Sequence, residues 1–441
     1  MIIIEQPTFT KKDFVGGFDK FFKTEKGQEF FREIKKEFCL KRYATWKDIK
    51  YKKFKGFTAK EVWLGLRFHR NEKIPMAIED EKNNPFFFWD LPRYRELYHD
   101  FDSLCCGQIL SDEPLHQNTF IQNGEIEESI YSSKIEGAVT TISEAKRMIR
   151  GKIKPKTKDE QMIQNNYETM QKIRNEWKNS PLSLDLFLEI HASITRNTDI
   201  APEKVGRLRE DSDNISVSDH EGNIAHIPPP NSFLVKKIPK LLTFANNENK
   251  EEASYFHPLV KAIALHFWIG YLHPFADGNG RVARSIFYWY LLRNGYWAIP
   301  FLPISRKIIK SPGQYRDAFL LTEQIENDFN YFFEYNAKQI CMAMKDFRET
   351  VILVRKENNH LNRLLREGFN ERQAKLLIYF LMKPGGMTTF KIHQNYHQIA
   401  HLTARSDLQK LMSLKILDTK KVGRELMFFA NQEKIQDILS Y

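Results

Sequence analysis

The chain has 441 residues, enough for two or three domains. With 42% hydrophobic and 28% charged residues it reads as an ordinary globular protein. No run approaches the ~20 apolar residues that span a bilayer, so no membrane partner is expected. The start, Met1-Ile-Ile-Ile-Glu-Gln-Pro, lacks the design of an export signal, and Cys39, Cys105, Cys106 and Cys341 lack zinc-type spacing. Reduced thiols in a cytoplasmic protein are expected. The formal charge of +11 is uneven: residues 1–90 carry 20 Lys/Arg against 14 Asp/Glu, residues 346–441 carry 16 against 10, and 91–345 are close to neutral. Contact with an acidic partner would therefore use the ends of the chain.

Residues 1–90 are rich in Lys and Phe and are interrupted by loop signals such as Asn83-Asn84-Pro85. A short helix is expected over 29–38, and the region is treated as an N-terminal extension without readable chemistry. Residues 91–345 read as almost wholly helical, with patterns over 125–136, 185–194 and 257–270. The last is apolar on most sides, which predicts a central buried helix. Another helix over 282–293 stops at Asn294-Gly295. One interruption, 214–230, alternates apolar residues on either side of Asp219-His-Glu-Gly-Asn223; it predicts a small hairpin, ended by Pro228, Pro229 and Pro230. In 346–441 an amphipathic helix over 371–382 is broken at Pro384-Gly-Gly386. Helices over 388–398 and 401–414 and a basic-tipped hairpin over 416–429 are expected next. That order is the winged-helix arrangement. The fold class expected is mainly α, with one small β-hairpin and a C-terminal winged helix-turn-helix domain.

The segment His273-Pro-Phe-Ala-Asp-Gly-Asn-Gly-Arg-Val-Ala-Arg284 lies between two expected helices. Gly278, Asn279 and Gly280 supply backbone N–H groups that a ligand can approach closely, at a helix N-terminus whose dipole favours an anion. Arg281 and Arg284 are three apart on the first helical turn, within reach of one polyphosphate. Asp277 offers a hard oxygen to Mg2+, and His273 has the pKa of a base near neutrality. Together these groups describe in-line attack on a phosphate of a metal-bound nucleotide.

This string resembles the Fic family signature, His-Pro-Phe-x-Asp/Glu-Gly-Asn-Gly-Arg-x-x-Arg, at every specified position. Gly206-Arg-Leu-Arg209 and the hairpin after it resemble the family's lead-in and flap. The resemblance implies a Fic domain over 91–345 that transfers AMP from Mg-ATP to a Ser, Thr or Tyr hydroxyl of a protein. His273 would deprotonate the hydroxyl, and Asp277 would bind the Mg2+ bridging the α- and β-phosphates. Gly278, Asn279, Gly280 and Arg281 would cradle those phosphates, and Arg284 would hold the γ-phosphate. The flap would pair with the target backbone. Phe329 and Tyr315 could border the adenine, but core positions are expected for both.

Ser132 and Glu136 are four apart and share a helix face, and Gly137 lets the chain leave that helix. Ser132-Ser-Lys-Ile-Glu136-Gly137 resembles the family's intramolecular inhibitory motif, in which Glu136 would pair with Arg284 in place of the γ-phosphate. Thr403-Ala-Arg-Ser-Asp-Leu408 is similar to a segment of the C-terminal module of many Fic proteins. Arg405, Lys410, Lys420, Lys421 and Arg424 would then contact DNA phosphates, or the module would serve dimerisation or target docking. Three functions stay open: autoinhibited AMP transfer; another Fic chemistry, such as AMP removal or transfer of phosphate or phosphocholine; and a nucleotide-sensing DNA-binding regulator.

Overall fold

The computed structural model describes residues 1–107, 114–219, 221–247, 255–422 and 425–440. They form two compact units, Met1–Met344 and Lys345–Tyr441. Among them, no helix is long and apolar enough to cross a membrane.

The first unit opens with four helices, α1 (Lys11–Phe22), α2 (Glu25–Lys35), α3 (Trp46–Ile49) and α4 (Ala59–His69). Threonines cap three of them: Thr10, Thr24 and Thr58 each accept the N–H three residues on, which satisfies a donor the helix start leaves free. The helix expected over 29–38 is α2 followed by a π-turn over Lys36–Leu40. The loop signal Asn83-Asn84-Pro85 is in fact part of a hairpin, strands β1 (Ile74–Glu79) and β2 (Pro85–Phe88), which sequence periodicity did not reveal. Phe87 on β2 also pairs with the backbone around Asp328, its N–H donating to Asn327 O at 2.8 Å. Residues 1–90 are thus part of the same unit as the rest of 1–344, not a separate body.

The helices α5 (Tyr94–Cys105), α6 (Pro114–Ile135), α7 (Ile142–Arg150), α8 (Lys158–Lys172) and α9 (Leu184–Thr195) follow. Then come the two-stranded hairpin β3 (Val217–Ser218) and β4 (Ile224–His226) and helices α10 (Asn231–Ala245), α11 (Pro258–Leu272), α12 (Asn279–Arg293), α13 (Ser305–Ile308) and α14 (Pro312–Gln324). α11 and α12 are buried along nearly their whole length and pack on each other, as the apolar pattern of α11 requires. The hairpin sits where alternation predicts it, closed by the Asp219 N–H donating to Asn223 O at 2.9 Å.

Helix α15 (Asn330–Arg366) begins in the first unit and ends in the second. The second unit continues with α16 (Glu371–Met382), β5 (Met387–Thr388), α17 (Phe390–His397), α18 (His401–Ser413), β6 (Leu417–Val422), β7 (Glu425–Ala430) and α19 (Gln432–Ser440). Its sheet has the antiparallel order β5-β7-β6. β5, two residues long, is too short to leave a period in the sequence. Leu377, Leu408, Leu411, Phe428 and Ile435 form its fully buried core. Asp407 ties three elements together, accepting from Arg372 Nε at 2.7 Å, Asn370 Nδ2 at 2.7 Å and the His393 ring at 3.2 Å.

Candidate active site

α11 ends because His273 takes a left-handed conformation, φ 48° and ψ 59°, with its N–H still donating to Ile269 O at 2.9 Å. A non-glycine residue there costs about 1–3 kcal/mol, so its surroundings must hold it. The buried Arg209 does so. Its Nε donates to the His273 carbonyl at 2.7 Å, its Nη2 to the Leu272 and Pro229 carbonyls, and its N–H to Pro274 O at 2.9 Å. The His273 ring places Nδ1 3.2 Å from the Gly270 carbonyl, so Nδ1 carries the proton and Nε2 keeps a free lone pair. Burial pushes this ring down to about 4; the Gly270 contact opposes that, and the charge on His226 adds to it. At neutral pH His273 is an unprotonated base.

The loop between α11 and α12 is folded around itself. Asn279 clamps it at two points, accepting the Phe275 N–H at 2.9 Å and donating to the Phe275 carbonyl at 2.8 Å. Its side chain is therefore committed to the loop, and only its backbone N–H is left for a ligand. Gly278 has φ 80°, and a Cβ there would lie 2.9 Å from Thr195. The buried, neutral His191 of α9 stacks on Phe275, donates to the Asp277 carbonyl at 3.1 Å and accepts the Gly206 N–H at 3.0 Å. Burial pushes that ring down to about 4. The Asp277 carboxylate is more than half exposed; one oxygen accepts the Gly278 N–H at 2.6 Å and the other is 3.4 Å from Arg281.

The two arginines diverge. Arg281, 1% exposed, reaches Asp277 and the Ile194 carbonyl, both at 3.4 Å, beneath the loop. Arg284 instead lines a cavity of about 440 Å³ together with His273, Gly280, Glu136, His226 and Tyr315. Its Nε donates to Ser132 Oγ at 2.7 Å, and its Nη2 to the Ser132 carbonyl at 3.0 Å and to Glu136 Oε1 at 2.9 Å. Its Nη1 is buried with no hydrogen-bond partner. Burial opposes the charge on Arg284, and Glu136 together with Tyr315 and Glu128 outweighs it, so its pKa lies above the ordinary value. The same carboxylate stands over the first turn of α12: a Cβ on Gly280 would lie 2.2 Å from Glu136 Oε1. Gly137, at φ 103°, turns the chain out of α6 directly after it.

The structure thus brings His273, Gly280, Arg284, Ser132 and Glu136 together and sets Arg281 apart, because the Ile194 carbonyl and Asp277 hold its guanidinium while Ser132 and Glu136 hold that of Arg284. Phe329 is fully buried among Phe88, Phe267 and Phe332, the core position expected of it. Tyr315 departs from that expectation: it lines the cavity and donates to His266 Nε2 at 2.7 Å, a ring that burial pushes down to about 3. Sequence reasoning missed His191 and His226, which carry no motif signal beyond a histidine on a buried helix face and one just before three prolines. In the second unit Arg405, Lys420 and Lys421 are exposed. Lys410 is exposed as well and donates to the Gly368 carbonyl at 2.9 Å; Arg424 lies outside the described residues.

Residues 181–291 match the family described as Fic/DOC. The chain is 31% identical over 119 residues to the protein adenylyltransferase Fic of Nematostella vectensis, covering 27% of this chain and 25% of the relative. To the protein of the same name from Aedes aegypti it is 30% identical over 120 residues, covering 27% and 21%. It therefore spans about a quarter of the length of these curated relatives. A Fic family protein from Desulfovibrio desulfuricans G20 superposes with a TM-score of 0.51 at 18% identity, over 78% of this chain and 97% of that one, and so shares the fold. The loop, the two helices that hold it and these likenesses identify residues 181–291 as a Fic/DOC domain.

Proposed function

We propose that this chain is a protein adenylyltransferase, transferring AMP from ATP to a Ser, Thr or Tyr hydroxyl of another protein, and that Glu136 restrains it. One observation carries the reading: a free imidazole base, a helix N-terminus and a buried guanidinium with an unpartnered N–H converge on one cavity, and a carboxylate stands in for an anion there. The relatives named as adenylyltransferases support it. His273 Nε2 would take the proton of the target hydroxyl as its oxygen bonds to the α-phosphorus. The bond from that phosphorus to the β-bridging oxygen breaks, and pyrophosphate leaves. The backbone N–H groups at the start of α12 stabilise the charge gathering on the phosphate oxygens. Arg281 holds the loop from beneath, and Arg284 would orient the γ-phosphate once Glu136 gives way. The exposed Asp277 carboxylate fits Mg2+, whose charge would offset that of the phosphates when bound.

The flap β3–β4 would hold the target backbone, and the second unit, a winged helix in this reading, would dock DNA, a second copy or the target through Arg405, Lys420 and Lys421. Placement in the cytoplasm belongs to the same reading. The test is intact-mass analysis after incubation with Mg-ATP. Wild type is expected to gain little AMP and Glu136→Gly several-fold more, with the gain lost in Glu136→Gly/His273→Ala. AMP removal is the second reading, since the partly exposed Glu136 carboxylate could orient a water at the cavity. Under it, Glu136→Gly would stop turnover of an AMP-modified target.

A further inference from the structure

Besides His273, the cavity is lined by His266 and His226, and the flap residue His226 has no part in the chemistry above. His226, the last residue of flap strand β4, is largely buried, at 11% side-chain exposure. Its Nδ1 is 2.9 Å from Glu323 Oε2 on α14, and its Nε2 is 2.8 Å from the Tyr271 carbonyl, two residues before His273. Both partners are acceptors. A neutral imidazole has one N–H and could satisfy only one of them beside a Glu323 carboxylate, whereas an imidazolium satisfies both. His226 is thus built into its site as a cation.

From this geometry we infer that His226 is a positioning residue: as an imidazolium it ties the flap to the ends of α11 and α14, and its positive charge helps to keep His273 an unprotonated base. The inference rests on the reading of His273 as the base. Glu323 faces His226 from α14, the Tyr271 carbonyl and the His273 ring face it from α11, and Arg209 approaches from the segment before the flap. Burial alone would discharge His226, but Glu323 and the two hydrogen bonds outweigh burial and the repulsion from Arg209, so its pKa lies above the ordinary value. The sign follows. The cation persists up to that raised pKa, and throughout that range it opposes proton uptake by His273. The pH range in which His273 works as a base thereby extends to lower pH.

The tests use the full chain and two substitutions. Glu323→Gln is nearly isosteric, keeps an Nε2–H to Tyr271 and removes the counter-ion; His226→Gln removes the charge and leaves Glu323 unpaired. Side-chain NMR of the imidazole nitrogens is expected to show His226 doubly protonated at pH 7 in the parent and singly protonated in Glu323→Gln. The His273 titration should move upwards in both variants, further in His226→Gln. In a Glu136→Gly background the acidic limb of AMP transfer should follow it to higher pH. A singly protonated His226 at pH 7 in the parent overturns the inference, as does a His273 titration that stays in place in both variants. Absence of AMP transfer at every pH in the Glu136→Gly parent would instead sink the functional reading, while the titrations still decide the role of His226.

Discussion

The loop 273–278 is held by buried side chains from α9, α12 and the segment before the flap, whereas the flap beside it is a pair of two- and three-residue strands with a register shift. The loop is fixed from within by Asn279 and from outside by Arg209 and His191. The flap is tied by His226 to Glu323 and the Tyr271 carbonyl, by Asp219 to Arg316, and by the Ile2 N–H to Ile224 O at 2.7 Å. Under the proposed function the difference separates two tasks: chemistry needs a geometry set before substrate arrives, while a hairpin edge that would accept a target's backbone gains from weak fixation.

If that contrast is right, changes in the loop should act on kcat and changes in the flap's turn on recognition. The largest expected effect is at the base: in a Glu136→Gly background, His273→Ala should lower AMP transfer by about 10²–10⁴-fold, read with labelled ATP. A residual rate near the parent's would mean that another group takes the proton. Glu136→Gly itself leaves the buried Arg284 bonded to Ser132 but without its carboxylate partner. The variant should therefore melt lower than wild type without nucleotide and recover more than wild type with Mg-ATP, because phosphate replaces the lost carboxylate. Equal recovery in both proteins would argue against shared occupancy. Asn279→Ala deletes the two-point clamp and should cost about 1–3 kcal/mol in urea unfolding, along with a fall in kcat. The smallest effect is expected at the flap. Asp219→Asn loosens its tie to Arg316 and should raise KM for the protein target more than it lowers kcat. The opposite split would show that the flap is part of the preset geometry after all.

Much of this molecule was legible as a string. The proposed catalytic segment was readable because its twelve residues are contiguous and the roles proposed for them are local: glycines for close approach, a helix start for an anion, a histidine and a carboxylate beside it. The buried helix α11 and the hairpin announced themselves by period, and Ser132 and Glu136 by a four-residue step that puts both on one face. What the string left open are facts about partners distant in sequence. Arg281 and Arg284 look equivalent until α9 offers one a carbonyl and α6 offers the other a hydroxyl and a carboxylate. Residues 1–90 look like an appendage until β2 pairs with the backbone before α15. His226 looks like any loop histidine until α14 and α11 bring it two acceptors. Local spacing fixes what a residue is able to do; burial and partners from elsewhere in the chain decide which protonation state and which direction it is held in, and those exist only in the folded protein.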